Sequence, residues 1–259
     1  MAEMAELNDV KRQVAIANRV LAELGLASGV LASLGHASMR VPSDSGRFVV
    51  KGRGYAIDAL AAMRPEDMVV CDLEGYKLDG PPGATQCFEV KLHSTIYKRR
   101  PDVQAVVHTH PRFAIVMTIL GATLTPMCNE GIGLVSKPLP VYRHSKIIQT
   151  EEEGMEAAEA LGDGPAVLLL GHGATTVGSS LEEAVMNTLW LEEQARMNWY
   201  AACAAGLNHP HIPDELVAEG FARHSIPDLP HFRDVMAGRQ PPPVNGAWTY
   251  YTEKVAREL

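Results

Sequence analysis

At 259 residues, with 46% hydrophobic and 21% charged side chains, the chain is long enough for one large domain with a packed core and has ordinary globular composition. Its formal net charge of −8, with Lys and Arg scattered, argues against nucleic acid or an anionic membrane as a partner, and no run reaches the roughly 18–20 apolar residues of a membrane span. Cys71, Cys87, Cys128 and Cys203 lie far apart with no CxxC pair, which suggests neither a thiolate zinc site nor a disulfide framework and fits a reducing cytoplasm.

In chain order, residues 9–33 carry Ala and Leu at helical spacing and predict one or two helices. The runs 47–51 and 68–72 are rich in Val and bounded by turn formers, which predicts strands. Residues 72–83 predict a hairpin-like stretch with its turn at Glu74-Gly75. Phe88, Leu92 and Ile96 predict a helix over 86–99, followed by a strand at 103–109, a helix at 111–120 and a strand at 139–142. A helix opens at Glu151–Glu153 and ends near Gly162. The continuous apolar run 166–170 predicts a strand buried on both faces. Ser179 and Ser180, each three residues before a glutamate, predict the capped start of a long helix to Ala205. The segment from about 207 is a Pro- and His-rich tail ending in a short helix. Its His209, His211, His224 and His231 carry no functional expectation. The elements predict one α/β domain over 1–259, a sheet with helices packed on it.

The chemistry concentrates in three histidines. His108 and His110 are two apart on a predicted strand, so both imidazoles point to one side. His172 follows a buried strand and is flanked by Gly171 and Gly173, which let the backbone turn sharply beside a ligand. Three neutral imidazoles leave a divalent ion its charge and an open position, the layout of a catalytic site. One divalent ion per chain is expected. Zn²⁺ suits the nitrogens best, with Mn²⁺ and Fe²⁺ open. Glu89 has two readings, a helix-start carboxylate favoured by the macrodipole or a general acid–base beside the ion.

The segments 34–42 (LGHASMRVP), 88–111 (FEVKLHSTIYKRRPDVQAVVHTHP) and 171–184 (GHGATTVGSSLEEA) together resemble the class II aldolase/adducin family over roughly residues 10–205. The resemblance implies a three-layer α/β/α fold with a largely antiparallel central sheet. It also implies a homo-oligomer, often a tetramer, with sites near subunit interfaces. It carries the metal-ligand role onto His108, His110 and His172 and the catalytic carboxylate onto Glu89. Sugar-phosphate members have hydroxyl- and amide-bearing phosphate motifs where this chain has Leu34-Gly35-His36, Lys51 to Gly54 and Cys87-Phe88, which disfavours a phosphorylated sugar. The pattern at 35–38 resembles the branch that decarboxylates hydroxylated aromatic or dienoic carboxylates. A small-molecule hydroxy acid is the expected substrate. His36 is either a group contacting it or a packed histidine, and Arg40, Lys51 and Arg53 are candidates for a second carboxylate. A retro-aldolase, a non-haem iron oxygenase and an adducin-like scaffold are the alternatives. Tyr142, Tyr250 and Tyr251 are further candidate acids without a matching motif.

Overall fold

The computed structural model describes residues 2–223, 228–236 and 245–259. The chain begins with α1 (Ala2–Glu23), β1 (His36–Val41), β2 (Asp44–Arg53), β3 (Met68–Asp72), β4 (Lys77–Asp79) and β5 (Thr85–Gln86). Then come α2 (Val90–Arg99), β6 (Ala105–Thr109), α3 (Arg112–Ile119), α4 (Ile132–Val135) and β7 (Val141–Tyr142). They are followed by α5 (Glu151–Leu161), β8 (Ala166–Leu169), β9 (Gly173–Gly178) and α6 (Leu181–Ala205). The tail forms α7 (Asp214–Phe221), α8 (Pro230–Met236) and α9 (Gly246–Ala256).

The main sheet runs β4-β3-β2-β1-β6-β9-β8-β7, and β5 pairs with β2. Every pairing is antiparallel except β7 with β8. Alternation along the strands builds two cores. Val49, Met68, Val70, Ala105 and Val107 face α1 and α6, whereas Phe48, Val50, Val69, Cys71 and Val106 face α2 and α5. The sheet is therefore covered on both sides, which gives the three-layer α/β/α arrangement with a mostly antiparallel centre.

The boundaries follow local chemistry. Thr150 caps α5: its hydroxyl accepts from Glu153 N–H at 3.2 Å while the Glu153 carboxylate accepts from Thr150 N–H at 3.2 Å. Ser180 caps α6 by accepting from Glu183 N–H at 3.1 Å. The helix expected from residue 86 starts instead at Val90, because Thr85 and Gln86 pair with Arg53 and Gly52. α1 starts seven residues before the expected position and ends at Glu23, and residues 29–31 form only a 3₁₀ turn. α9 docks on α1, with Trp248, Tyr251 and Val255 against the core and Arg19 paired to Glu258 at 2.6 Å. Among the described residues no helix is long and apolar enough to cross a membrane. His224 lies outside them.

Candidate metal centre

Three elements bring the site together at one end of the sheet. β6 delivers His108 on its penultimate residue and His110 just beyond its end. The tight turn from β8 to β9 delivers His172, whose N–H is held by the Leu169 carbonyl at 3.0 Å. Gly171 has φ +66°, the left-handed region that glycine enters without strain. At Gly173 a Cβ would run into the Thr109 carbonyl oxygen and press on the His108 ring at 3.2 Å, so β9 can lie this close to β6 only without a side chain there. Glu89 enters from the N-cap position of α2.

The three imidazoles form a near-equilateral triangle, with ring centroids 5.1, 5.0 and 4.9 Å apart. His108 Nε2 lies 3.2 Å from His110 Nε2 and 3.3 Å from Glu89 Oε2, and His172 Nε2 lies 3.7 Å from Glu89 Oε1. Ligands held tetrahedrally at zinc-type bond lengths of roughly 2.0–2.2 Å stand about 3.4 Å apart. The donor atoms are therefore already spaced for a small divalent ion. Burial holds His108, His110 and His172 below the ordinary imidazole range, His110 to about 4, so they are neutral bases near neutral pH. His108 Nδ1 lies 3.2 Å from Thr175 Oγ1. With the proton on Nδ1 and donated to that hydroxyl, the Nε2 lone pair is free for an ion. His172 Nδ1 is buried with no hydrogen-bond partner among the described residues. The donor set and its spacing thus fit a divalent cation. The Glu89 carboxylate lies in the same cluster of potential donor atoms as the three expected ligands.

Glu89 sits between two environments. Its Oε1 accepts from Ile148 N–H at 3.1 Å, and its Oε2 also faces His36 Nε2 at 3.6 Å. Burial pushes this carboxyl up, while His108, His36 and His172 pull it down at the acidic pH where they carry charge, and the balance lies below the ordinary carboxylate range. His36 starts β1, which pairs with β6 in the register His36 to His108. It is buried, and its Nδ1 lies 2.7 Å from His93 Nε2. The packed and the functional readings of His36 therefore meet in one residue beside Glu89.

The three basic residues are placed differently. Arg40 is not brought to the site: its guanidinium donates to the carbonyls of Val103, Ser45, Tyr97 and Arg100 inside the protein, which corrects the expectation of a substrate contact. Lys51 is 1% exposed and paired with Asp58, so its charge is satisfied internally as well. Arg53 gives Nε–H to the same Asp58 at 2.9 Å and lies over the ring of Phe88, the residue before Glu89, at 4.6 Å. Phe88 itself is 59% exposed. Tyr142 bonds Glu156 at 2.6 Å and Tyr250 is exposed, whereas Tyr251 lines a cavity of about 430 Å³ that reaches His110. Sequence reasoning missed His93, Ser38 and Tyr97. The available signal was the polar period of two at 36, 38 and 40 against the four-residue spacing of 89, 93 and 97.

The family description "Class II Aldolase and Adducin N-terminal domain" matches residues 12–199. Among curated proteins, the 3,4-dihydroxyphthalate decarboxylase of Terrabacter sp. (strain DBF63) is 32% identical over 216 residues, spanning 79% of this chain and 84% of that protein. Among solved structures, the L-fuculose-1-phosphate aldolase of Thermus thermophilus is 33% identical with a TM-score of 0.62, covering 80% of this chain and all of that one. The L-fuculose 1-phosphate aldolase of Glaciozyma antarctica PI12 shares the fold at 22% identity, with a TM-score of 0.74 over 99% of this chain and 92% of its own.

Proposed function

Because the chain belongs to the class II aldolase and adducin family, we propose that it is a divalent-metal-dependent decarboxylase of a non-phosphorylated, hydroxylated aromatic or dienoic carboxylate. It is an enzyme of lyase type, decarboxylase or aldolase. The observation that carries the proposal is the convergence of His108, His110, His172 and Glu89 on one point, in a chain whose relatives include dihydroxyphthalate decarboxylases. Two further features favour a carboxylate substrate over a sugar phosphate. Lys51 and Arg53 share one Asp58, which leaves a single net positive charge, a match for a carboxylate but not for a phosphate dianion. Phe88 presents an aromatic face directly before Glu89, where a phosphate site needs hydroxyls and amides.

His108, His110 and His172 would hold the ion, and a divalent cation bound there supplies Lewis-acid stabilisation of the negative charge that develops on a substrate oxygen as a carbon–carbon bond breaks. Zn²⁺ suits the donor set, with Mn²⁺ and Fe²⁺ as the other candidates. Glu89 accepts the proton of the hydroxyl adjacent to the departing carboxylate. The pair freed on that oxygen pushes through the ring as Glu89 returns the proton to the carboxylate-bearing carbon, giving the keto form. Carbon dioxide then leaves, and its bonding pair passes back toward the oxygen and restores the ring. The product oxygen then takes one proton from water. His36 orients Glu89 through Nε2. Arg53, stacked on Phe88, is placed to meet a second carboxylate with its remaining N–H groups. Val116 and Ile119 on α3 and Leu120 just past its end expose an apolar strip, which suits a homo-oligomer, here proposed as a tetramer with sites near subunit interfaces. The free thiols suit a reducing cytoplasm.

The second reading, a retro-aldolase, is favoured by the similarity to the Thermus aldolase. The test is to purify the protein gently, measure its metal content, and supply 3,4-dihydroxyphthalate and L-fuculose 1-phosphate separately. About one divalent ion per chain with carbon dioxide released from the aromatic acid supports the proposal. Aldehyde released from the sugar phosphate alone overturns it in favour of the aldolase. Oxygen uptake during turnover points to an iron oxygenase, and a metal-free, inert protein to an adducin-like scaffold.

A further inference from the structure

β1 and α2 lie side by side with matched repeats. Two strand residues advance about 6.6 Å and four helix residues about 6 Å. His36, Ser38 and Arg40 therefore interleave with Glu89, His93 and Tyr97. The resulting contacts run in one line away from Glu89. His36 Nδ1 meets His93 Nε2 at 2.7 Å, His93 Nδ1 meets Ser38 Oγ at 2.6 Å, and Ser38 Oγ meets Tyr97 Oη at 2.7 Å. Ser38 and His93 are fully buried and Tyr97 is 1% exposed. Polar groups this deep carry a desolvation cost unless each is matched, so the direction of every hydrogen bond matters.

The chain can run in either direction, and Ser38 Oγ also lies 3.5 Å from the Val106 carbonyl. In the first, Tyr97 O–H donates to Ser38 Oγ, Ser38 O–H donates to His93 Nδ1, His93 Nε2–H donates to His36 Nδ1, and His36 Nε2–H points at Glu89 Oε2. Every proton then has an acceptor, and each imidazole is neutral with one donor and one acceptor nitrogen. In the reverse direction His36 Nε2 turns a lone pair toward the Glu89 carboxylate, 3.6 Å away, and the buried Tyr97 proton has no side-chain acceptor among the described residues. Burial pushes the Tyr97 phenol up and holds His93 well below the ordinary imidazole range, so both stay neutral and the phenol keeps a proton that it must donate. With the Ser38 proton on the Val106 carbonyl the Tyr97 proton is matched as well, but His36 still turns a lone pair to Glu89, so only the first direction matches every proton and gives Glu89 a donor.

The geometry points to a buried positioning relay, Tyr97–Ser38–His93, that fixes His36 as its Nε2–H tautomer and so aims a hydrogen-bond donor at the carboxylate of Glu89. The inference rests on Glu89 as the acid–base group of the proposed reaction. Tyr97, Ser38 and His93 touch no substrate. They act by setting which nitrogen of His36 carries the proton, and hence how Glu89 is oriented. His36, Cys87 and His93 are also close enough to suggest a second ion site. The hydrogen-bonded chain opposes that reading, because both His93 nitrogens are engaged and burial pushes the Cys87 thiol up, away from the thiolate a metal requires.

The test begins with the native chain, ¹⁵N-labelled at histidine and loaded with zinc, which is diamagnetic. Long-range ¹H–¹⁵N spectra report a protonated-type Nε2 and an unprotonated-type Nδ1 at His36 if the relay runs as inferred; a proton on Nδ1 overturns it. Tyr97→Phe and Ser38→Ala lower kcat by about 10- to 100-fold with KM and zinc content unchanged, and Ser38→Thr, which keeps the hydroxyl, restores most of kcat. Native kcat in both Tyr97→Phe and Ser38→Ala, or two zinc ions per chain, also overturns the relay. A fully active Glu89→Gln removes the acid–base reading while leaving the His36 spectrum as inferred, so the two failures are told apart.

Discussion

Two histidine clusters share Glu89 and are completed in opposite ways. On one side His108, His110 and His172 bring their ring nitrogens toward a common point, and the Nε2 atoms of His108 and His110, 3.2 Å apart, have no hydrogen-bond donor between them when both rings carry their protons on Nδ1. On the other side His36 and His93 alternate with Ser38 and Tyr97, so that each ring nitrogen faces a partner of opposite character. Both clusters are largely buried and meet at Glu89, one standing on β6 and the β8–β9 turn, the other on the neighbouring β1 and on α2. The difference teaches that burial and residue type alone do not mark a metal site. Converging acceptors call for a cation, whereas alternating donors and acceptors satisfy themselves.

The comparison breaks first at the ion. His172→Ala removes one of the converging donors. Metal content measured by elemental analysis should fall from about one ion per chain to near zero and turnover should vanish with it, a loss well beyond the roughly 100-fold of an outer hydrogen-bond partner. Retained metal and activity would mean that the triangle of rings is not a binding site. Next in size, Glu89→Gln keeps the shape at the junction of the two clusters but removes the basic oxygen. It should retain the ion while lowering kcat by about 10²- to 10⁴-fold in a steady-state assay. Unchanged turnover would take the acid–base role away from Glu89.

Removing the ion sharpens the contrast through pH. In the metal-free protein His110 titrates near 4, against 6.5 in the unfolded chain, because burial disfavours its charged form. Between those values the unfolded state binds more protons, so this contribution is absent above about pH 6.5 and becomes a loss of stability as pH falls toward 4. Denaturant titrations of the metal-free protein should show a drop on the order of 3 kcal/mol from this residue across that window, with His93 and His108 acting in the same direction. A flat profile would contradict their neutral burial.

Further along the same strand, Arg40→Met tests the end of β1 that carries no chemistry. The carbonyls of Val103, Tyr97 and Arg100 lose a buried donor, so urea unfolding should show a loss of about 2–3 kcal/mol while kcat of the folded enzyme stays native. A selective change in KM would return Arg40 to the substrate. The smallest effect belongs to Arg53→Gln, which removes one partly exposed charge. KM for a dicarboxylate should rise by about fivefold, with KM for a monocarboxylate unaffected.

Much of this was legible in the residues. The pair at 108 and 110 and the glycine-flanked 172 announce their geometry, because strand alternation and backbone freedom are local properties. The long helix to Ala205, from its capping serines, and the start of α5, from its acidic run, were likewise visible. β1 and β9 were not assigned. β1 alternates Ala, Met and Val with His, Ser and Arg, and its polar face is buried against α2, so the polarity that normally marks a solvent face misleads. β9 is Gly- and Thr-rich and reads as a turn, although it is fully buried between β6 and β8. Arg40 and Lys51 resemble surface cations in sequence. Only the fold shows that their partners, the carbonyls near the end of α2 and Asp58, lie inside. The Tyr97–Ser38–His93 line depends on a strand and a helix meeting in register, which no single segment encodes.

The hairpin that carries His172 touches β6 as bare main chain at Gly173. On that side, no rotamer can relax to make room for a larger ion. The width of the cage is set by strand spacing, as rigid as the sheet itself. Natural drift or laboratory redesign can exchange the preferred cation from the partly buried His110 side, but from the His172 side only by rethreading the hairpin.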